Sequence, residues 1–84
     1  MHEEKAIITL NIIKRDMSVD LEVPLSITAN ELVYALNAAY ELNIDTSDMK
    51  NCYLKVEKPI ILLRGNKTLG EFGLRNGSVI NYTE

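Results

Sequence analysis

The residues with the greatest capacity for chemistry in this 84-residue chain are its one thiol, Cys52, and its one imidazole, His2. Nucleophilic catalysis needs a nucleophile, a base within hydrogen-bonding reach and a group that orients the base. His2 falls in a short charged segment that we expect to be a flexible tail, residues 1–5. Cys52 falls on the same face of its predicted strand as Leu54 and Val56, which fits a small core side chain. The pattern therefore predicts no catalytic residues and a protein that is not an enzyme.

Metal, cofactor and nucleic-acid sites are also poorly supported by the composition. One Cys and one His do not supply the three or four protein ligands of a usual zinc site, and the four glycines lack a phosphate-binding spacing. The formal net charge is −3, whereas nucleic-acid-binding domains usually carry a basic stripe. We interpret the adjacent pair Lys14 and Arg15 as a solvated turn. We expect no metal, no cofactor, no small-molecule substrate and no nucleic-acid partner.

Nothing in the chain predicts export or membrane insertion. The charged start lacks the apolar run of a signal peptide. The longest apolar stretch, around residues 60–63, is far shorter than the roughly 20 residues that span a bilayer as a helix. A lone cysteine cannot form an internal disulfide, so the fold does not require an oxidising compartment. We expect a cytoplasmic protein.

Alternating hydrophobicity predicts five strands, over residues 6–13, 18–24, 52–57, 60–63 and 78–83. Pro24 removes a ladder hydrogen bond, so the second strand should end there or lie at a sheet edge. The turn signal Asn76-Gly77 precedes the last strand. Residues 68–74 are too rich in glycine for a long helix and predict a short 3₁₀ turn.

The helix has a well-marked start. Thr28 and Glu31 have the spacing of a capping box, and the helix should end near Asn43, where turn-favouring residues begin. The predicted apolar stripe consists of Leu32, Leu36, Ala39 and Tyr40. Leu36 is expected to pack against Leu10, Leu21 and Leu54.

These elements follow the order β-β-α-β-β-β. The order predicts an α+β fold in which one helix packs on one face of a mixed sheet. The other face should be open to water, because polar side chains alternate with the core residues. The residues expected on that face are Thr9, Asn11, Asp20, Glu22, Lys55 and Glu57.

Three segments carry a resemblance to known families. VDLEVPLSITANELVYAL (19–36) and TLGEFGLRNGSVINY (68–82) resemble ubiquitin. YLKVEKPIILLRGNKTLGEFGL (53–74) is more similar to the YukD/EsaB family, small ubiquitin-like proteins encoded with type VII (WXG100, Ess-type) secretion systems of Gram-positive bacteria. The resemblance implies a ubiquitin-like β-grasp over one domain, 1–84. It also implies a non-catalytic accessory or regulatory role, with other type VII secretion components as protein partners.

The end of the sequence separates this expectation from its alternatives. Ubiquitin and the sulfur carriers end in a flexible Gly-Gly tail, whereas this sequence ends in NYTE (81–84). We therefore expect that the protein is not conjugated. Two alternatives stay open: a ubiquitin-like modifier or sulfur carrier whose tail is missing, and an adaptor domain cut from a larger protein.

The open sheet face is the candidate protein-binding surface. Ubiquitin is bound through an apolar patch on the corresponding face, but here the face is mostly polar, so generic ubiquitin receptors should not bind. Tyr53 is expected to be the exposed aromatic anchor there, and Tyr34 is a second candidate on the outer helix face. The candidate residues are Tyr53, Lys55, Thr9, Asn11, Asn81 and Tyr34.

Overall fold

An antiparallel hairpin opens the fold. The computed structural model describes residues 4–48, 50, 52–58 and 60–83. Strand β1, Lys5–Ile12, pairs with strand β2, Met17–Pro24. A 3₁₀ turn, Ile13–Arg15, joins them, and Asp16 completes the connection in the left-handed region at φ 50°. The predicted hairpin is confirmed.

The N-terminal end of β1 differs from the predicted tail. Lys5 is part of the strand, and its ammonium group lies 3.6 Å from the carboxylate of Glu22 on β2. The carbonyl of Glu4 accepts a hydrogen bond from the N–H of Leu25 (2.9 Å). The tail prediction is therefore wrong at Lys5, because pairing with β2 extends one residue further than the hydrophobic alternation indicates. Residues 1–3, with His2, lie outside the described residues.

Helix α1, Ala29–Tyr40, begins with the predicted capping box. The hydroxyl of Thr28 accepts from the N–H of Glu31, and the Glu31 carboxylate accepts from the N–H of Thr28, both at 3.1 Å. These bonds satisfy two of the donors that a helix leaves unpaired at its start. The helix ends earlier than predicted, because Glu41 takes a left-handed conformation at φ 51°.

The buried face of α1 differs from the predicted stripe. Leu32 and Leu36 are buried, as predicted, together with Ala29 and Val33, whereas Ala39 is exposed. At 3.6 residues per turn, Ala39 lies about 70° from the centre of the stripe that Ala29, Leu32, Val33 and Leu36 define. The helix is therefore oriented so that Val33, not Ala39, faces the core.

The sheet has five strands in the order β2-β1-β5-β3-β4. Strand β3, Leu54–Glu57, pairs antiparallel with both β4, Ile61–Leu63, and β5, Val79–Tyr82. The central pair, β1 and β5, is parallel. This is the predicted α+β arrangement with a mixed sheet, and β2, which ends at Pro24, lies at one edge as predicted. Lys58 follows β3 with φ 61°, and Pro59, in the predicted turn, lies outside the described residues.

The core lies between α1 and the inward face of the sheet. Leu36 is 5% exposed and belongs to one buried cluster with Leu10 and Leu54, while Leu21 is half-buried at its margin. Buried residues also come from the connecting segments. Those are Leu42, Cys52, Leu69, Leu74 and Ser78.

The segment 68–74 is a short hydrogen-bonded turn, as predicted, and it does not continue into a 3₁₀ helix. It has the bonds of a second capping box. The Thr68 hydroxyl accepts from the N–H of Glu71 (3.2 Å), and the Glu71 carboxylate accepts from the N–H of Thr68 (3.1 Å). Thr68 also forms a bridge with Thr28, so the turn starts beside the start of the helix. No 3₁₀ helix develops, because the bonds that follow run from Phe72 to Thr68 and from Gly73 to Gly70 without a common period.

Candidate protein-binding surface

The strand registers bring four of the six candidate residues together on the open sheet face. Asn81 on the central part of the sheet lies opposite both Asn11 on β1 and Lys55 on β3. Thr9 on β1 lies opposite Val79 on β5. Residues directly opposite each other have Cβ atoms about 5 Å apart on the same face. Thr9, Asn11, Asn81 and Lys55 therefore form one surface.

The polar side chains of this surface bond to one another across the strands. The Thr9 hydroxyl donates to the carboxylate of Asp20 (2.9 Å), and the side-chain amide of Asn11 donates to the side-chain carbonyl of Asn81 (3.0 Å). Such cross-strand pairs stabilise a sheet by about 0.2–1 kcal/mol each. They also hold Thr9, Asn11 and Asn81 in fixed positions, so we call these three residues the polar platform.

Tyr53 lies beside the platform but is not the exposed anchor that the sequence predicts. Its side chain is half-buried, and it lines a cleft of about 330 Å³ between the strands and the loop that follows α1. Asp45, Asp48 and Lys55 line the same cleft. The loop after α1 lines this cleft with Tyr53, and the sequence alternation contains no information about the position of that loop. Tyr53 nevertheless borders the open face.

Tyr34 lies on the other side of the molecule. It is 48% exposed on α1, which covers the opposite face of the sheet. It lines a separate cleft of about 360 Å³ with Asn30, Cys52, Arg64 and others. The structure therefore divides the six candidate residues into five on or beside the open face and one on the helix.

The open face has an apolar component that the sequence reading missed. Ile7 on β1 is 53% exposed, Leu62 on β4 is 45% exposed, and Ile60 is 91% exposed at the tip between β3 and β4. A groove of about 490 Å³ runs along this hairpin. The sequence contains the signal for Ile7: because Ile8 and Leu10 point inward, the two-residue period of a strand places Ile7 on the open face.

Cys52 is buried, as predicted, at 5% exposure. Burial raises the pKa of its thiol, and the negative charges of Asp45 and Asp48 raise that pKa further. The thiolate is the nucleophilic form, and this surrounding disfavours it. The geometry is that of a core residue, and no described base is shown to activate the thiol.

The carboxylates with shifted pKa values serve turns. Two hydrogen bonds from Ser47 lower the pKa of Asp45, and hydrogen bonds from Thr68 lower the pKa of Glu71. A lowered pKa keeps each group ionised as an acceptor and makes it a poorer general acid. Among residues 4–48, 50, 52–58 and 60–83, no group of three or more His, Cys, Asp or Glu side chains is placed to hold a metal ion.

Arg15 is not merely part of a solvated turn. Its guanidinium donates hydrogen bonds to the carbonyls of Tyr40 and Glu41, the latter at 2.7 Å. These carbonyls end α1, whose last turn contains no basic residue of its own. A positive charge is favourable at a helix C-terminus. Arg15 is thus exposed at the hairpin tip, as interpreted from the sequence, but the tip also reaches the helix end, which the sequence does not indicate.

Within the part of the chain that the structure describes, no helix is long and apolar enough to cross a membrane.

Solved structures with this fold are ubiquitin-like domains. The C-terminal ubiquitin-like domain of mouse tubulin-specific chaperone e matches with a TM-score of 0.73 and 13% identity, covering 99% of this chain and 89% of that one. Tubulin-binding cofactor B of Trypanosoma brucei matches with a TM-score of 0.72 and 16% identity, covering 96% and 95%. A ubiquitin-like domain from Arabidopsis thaliana matches with a TM-score of 0.67 and 20% identity, covering 93% and 74%. At these identities the similarity shows the fold alone.

The sequence itself identifies the family. No curated protein matches the chain significantly. The family model described as "WXG100 protein secretion system (Wss), protein YukD" matches residues 7–81, which include every strand and the helix in whole or in large part. The fold and this match agree with the resemblance in the β3–β4 region, and the chain belongs to the YukD family of ubiquitin-like proteins of WXG100 secretion systems.

Proposed function

We propose that this protein is a non-catalytic accessory component of a WXG100 (type VII) secretion system that acts in the cytoplasm by binding other protein components of that system. The family match over residues 7–81 carries the proposal. The buried, protonated thiol of Cys52 and the turn-forming roles of Asp45 and Glu71 support a role without catalysis. One ubiquitin-like domain, residues 1–84, would suffice for such a role.

The open sheet face is the proposed binding surface. Its polar platform is ordered by cross-strand bonds, and apolar residues lie around it. A partner that covers this face gains area from Tyr53, Ile60 and Leu62 and hydrogen-bonding specificity from the platform. Contact area from a few anchors usually dominates binding energy, while polar neighbours set specificity.

Deletion of the gene tests the proposed role. We expect normal growth and reduced export of WXG100 proteins, measured by immunoblotting of culture supernatants and restored by the wild-type gene. Unchanged export would contradict the proposal. Formation of an adenylate or covalent adduct with an activating enzyme and ATP would favour the modifier alternative instead.

A double variant tests the absence of catalysis. Cys52→Ala with His2→Ala removes the only thiol and the only imidazole. We expect this variant to restore export fully, provided that circular dichroism shows it to be folded. Loss of export with the fold intact would overturn the non-catalytic reading.

A pair of tyrosine variants tests the surface. Tyr53→Ala should leave the fold intact and weaken binding to the partner by about tenfold, since removing the exposed part of this half-buried ring from the contact should cost about 1.4 kcal/mol. Tyr34→Ala, a matched loss of a partly exposed tyrosine on the helix side, should leave binding unchanged. The opposite result, in a pull-down from cytosol and membranes, would move the interface to the helix face.

A further inference from the structure

The two edges of the sheet are protected to different degrees. At the β2 edge, Asp20 and Glu22 are exposed and the strand ends at Pro24. Charged residues and proline are the usual devices that prevent an edge strand from pairing with another chain. Strand β4, at the opposite edge, is only three residues long and lies between Pro59 and Arg64, but it contains no charged residue or proline within the strand itself. An edge strand offers unpaired main-chain donors and acceptors to an incoming strand.

The β4 edge also has apolar side chains where a partner strand would lie. Ile60 is 91% exposed and Leu62 is 45% exposed. Both line the groove of about 490 Å³ along the hairpin, with Lys55 and Glu57 of β3. A lone exposed apolar residue needs no explanation, but an edge strand without a charged side chain, a groove and two exposed apolar residues in one place indicate an interaction surface.

Charge decides what kind of partner fits this edge. Residues 52–67 contain four basic residues and one acidic residue, a net charge of +3, whereas the rest of the chain has five basic and eleven acidic residues, a net charge of −6. Lys67 lies over the ring of Phe72, 5.1 Å from its centroid. Lys58 and Arg64 are exposed at the two ends of the apolar stretch. Along the chain, the β4 edge therefore consists of a basic residue, Lys58, an apolar stretch, 60–63, and a second basic residue, Arg64, in a protein whose other residues are acidic on balance.

The same charges disfavour a second copy at this edge. Antiparallel pairing of β4 with β4 of another copy would bring Lys58 of one copy near Arg64 of the other at both ends of the strand, and like charges placed across an interface oppose association. We propose that β4 is a docking edge for an extended segment of a partner protein, in which a short apolar stretch is flanked by acidic residues. This inference rests on the proposed function, because it specifies the partner segment that the domain binds.

Such a segment would add a sixth strand. Its main chain would pair with β4, one apolar side chain would lie against Leu62 and Ile60, and its acidic ends would lie near Lys58 and Arg64. Main-chain hydrogen bonds supply affinity in strand addition, and the flanking side chains supply specificity.

The first experiment uses a synthetic octapeptide, Glu-Glu-Val-Val-Ile-Val-Glu-Glu, titrated into the ¹⁵N-labelled full chain. We expect chemical-shift changes centred on residues 58–64 and intermolecular NOEs between the peptide and β4. The same peptide with lysines in place of the glutamates should bind at least tenfold more weakly. Equal binding of the two peptides, or shift changes centred elsewhere, would overturn the inference.

A matched pair of variants locates the contact. Ile60→Glu should weaken binding at least tenfold without unfolding the protein, because Ile60 is already 91% exposed. Ile13→Glu is the control, since Ile13 is 54% exposed beyond the end of β1, three strands away from β4. Equal effects of the two substitutions would overturn the proposed location.

Two further measurements test whether a second copy of the protein or a membrane surface occupies the β4 edge instead. Concentration-dependent dimerisation in sedimentation, abolished by Ile60→Glu, would replace the partner segment with a second copy. Tighter binding to phosphatidylglycerol vesicles than to the acidic peptide, also abolished by Ile60→Glu, would make the edge a membrane contact. Either outcome overturns the inference.

Complementation separates this inference from the proposed function. If gene deletion leaves export unchanged, the proposed function fails. If deletion reduces export and the Ile60→Glu variant restores it fully, the docking edge is refuted and the proposed function stands. We expect the Ile60→Glu variant to fail to restore export and the Ile13→Glu variant to succeed.

Discussion

Truncation of Leu36 tests how the helix is seated on the sheet. Leu36 is 5% exposed and belongs to the buried cluster that includes Leu10 and Leu54. Leu36→Ala removes buried methyl groups and leaves a cavity, which together cost about 2–5 kcal/mol. The unfolding entropy of an 84-residue domain is about 0.18 kcal/mol/K, so a loss of about 3 kcal/mol lowers Tm by about 17 °C.

The matched control is the same substitution at Leu62. That side chain is 45% exposed on the open face, so Leu62→Ala should change the free energy of unfolding by less than about 1 kcal/mol. Urea unfolding followed by circular dichroism, with a constant m-value, gives both numbers. A loss below about 0.5 kcal/mol for Leu36→Ala, or equal losses for the two variants, would show that the helix does not bury Leu36.

Two further predictions concern contacts at the helix end and in the turn after β4. Arg15→Ala should lower the free energy of unfolding by about 0.5–1 kcal/mol, because it removes the cation that binds the carbonyls at the end of α1. The control is Lys14→Ala, and equal losses for the two variants in urea unfolding would contradict the role of Arg15 at the helix end. A ¹³C NMR titration should place the pKa of the Glu71 carboxyl below its ordinary value, since Thr68 donates to the carboxylate. Its stabilising contribution is thus present above its ordinary pKa and lost as pH falls through the lowered folded pKa. Thr68→Ala should raise that pKa, and an unchanged titration would refute the link.

Local sequence signals predicted most of the fold. The alternation of Ile8, Leu10 and Ile12 placed β1 with the correct inward face, and all three are buried. The spacing of Thr28 and Glu31 predicted the start of α1, and both reciprocal hydrogen bonds form. These signals succeed because each depends on neighbours within about four residues along the chain.

Features that depend on distant parts of the chain were not predictable in the same way. Arg15 reaches carbonyls that are 25 and 26 residues away, and nothing near Arg15 in sequence indicates that contact. Tyr53 is half-buried because the loop after α1 folds beside it. Ala39 was assigned to the core from its spacing, but the position of the helix on the sheet selects Val33 instead. Each of these outcomes follows from tertiary packing.

The division of the open face into a polar platform and an apolar edge has an energetic consequence for binding. A partner that bonds to Asn11 or Asn81 must compete with the existing bond between them, so the net gain is a fraction of the usual 0.5–1.5 kcal/mol for a hydrogen bond. At β4, which lies at an edge of the sheet, a partner strand can pair without displacing a bond between strands, and it removes exposed surface of Ile60 and Leu62 from water at about 25 cal/mol per Å². Burial at β4 therefore supplies most of the affinity. The polar platform acts chiefly by disfavouring partners that would cover it with apolar groups. Such a partner would take the side-chain amides of Asn11 and Asn81 out of water without offering them new hydrogen bonds, which costs free energy.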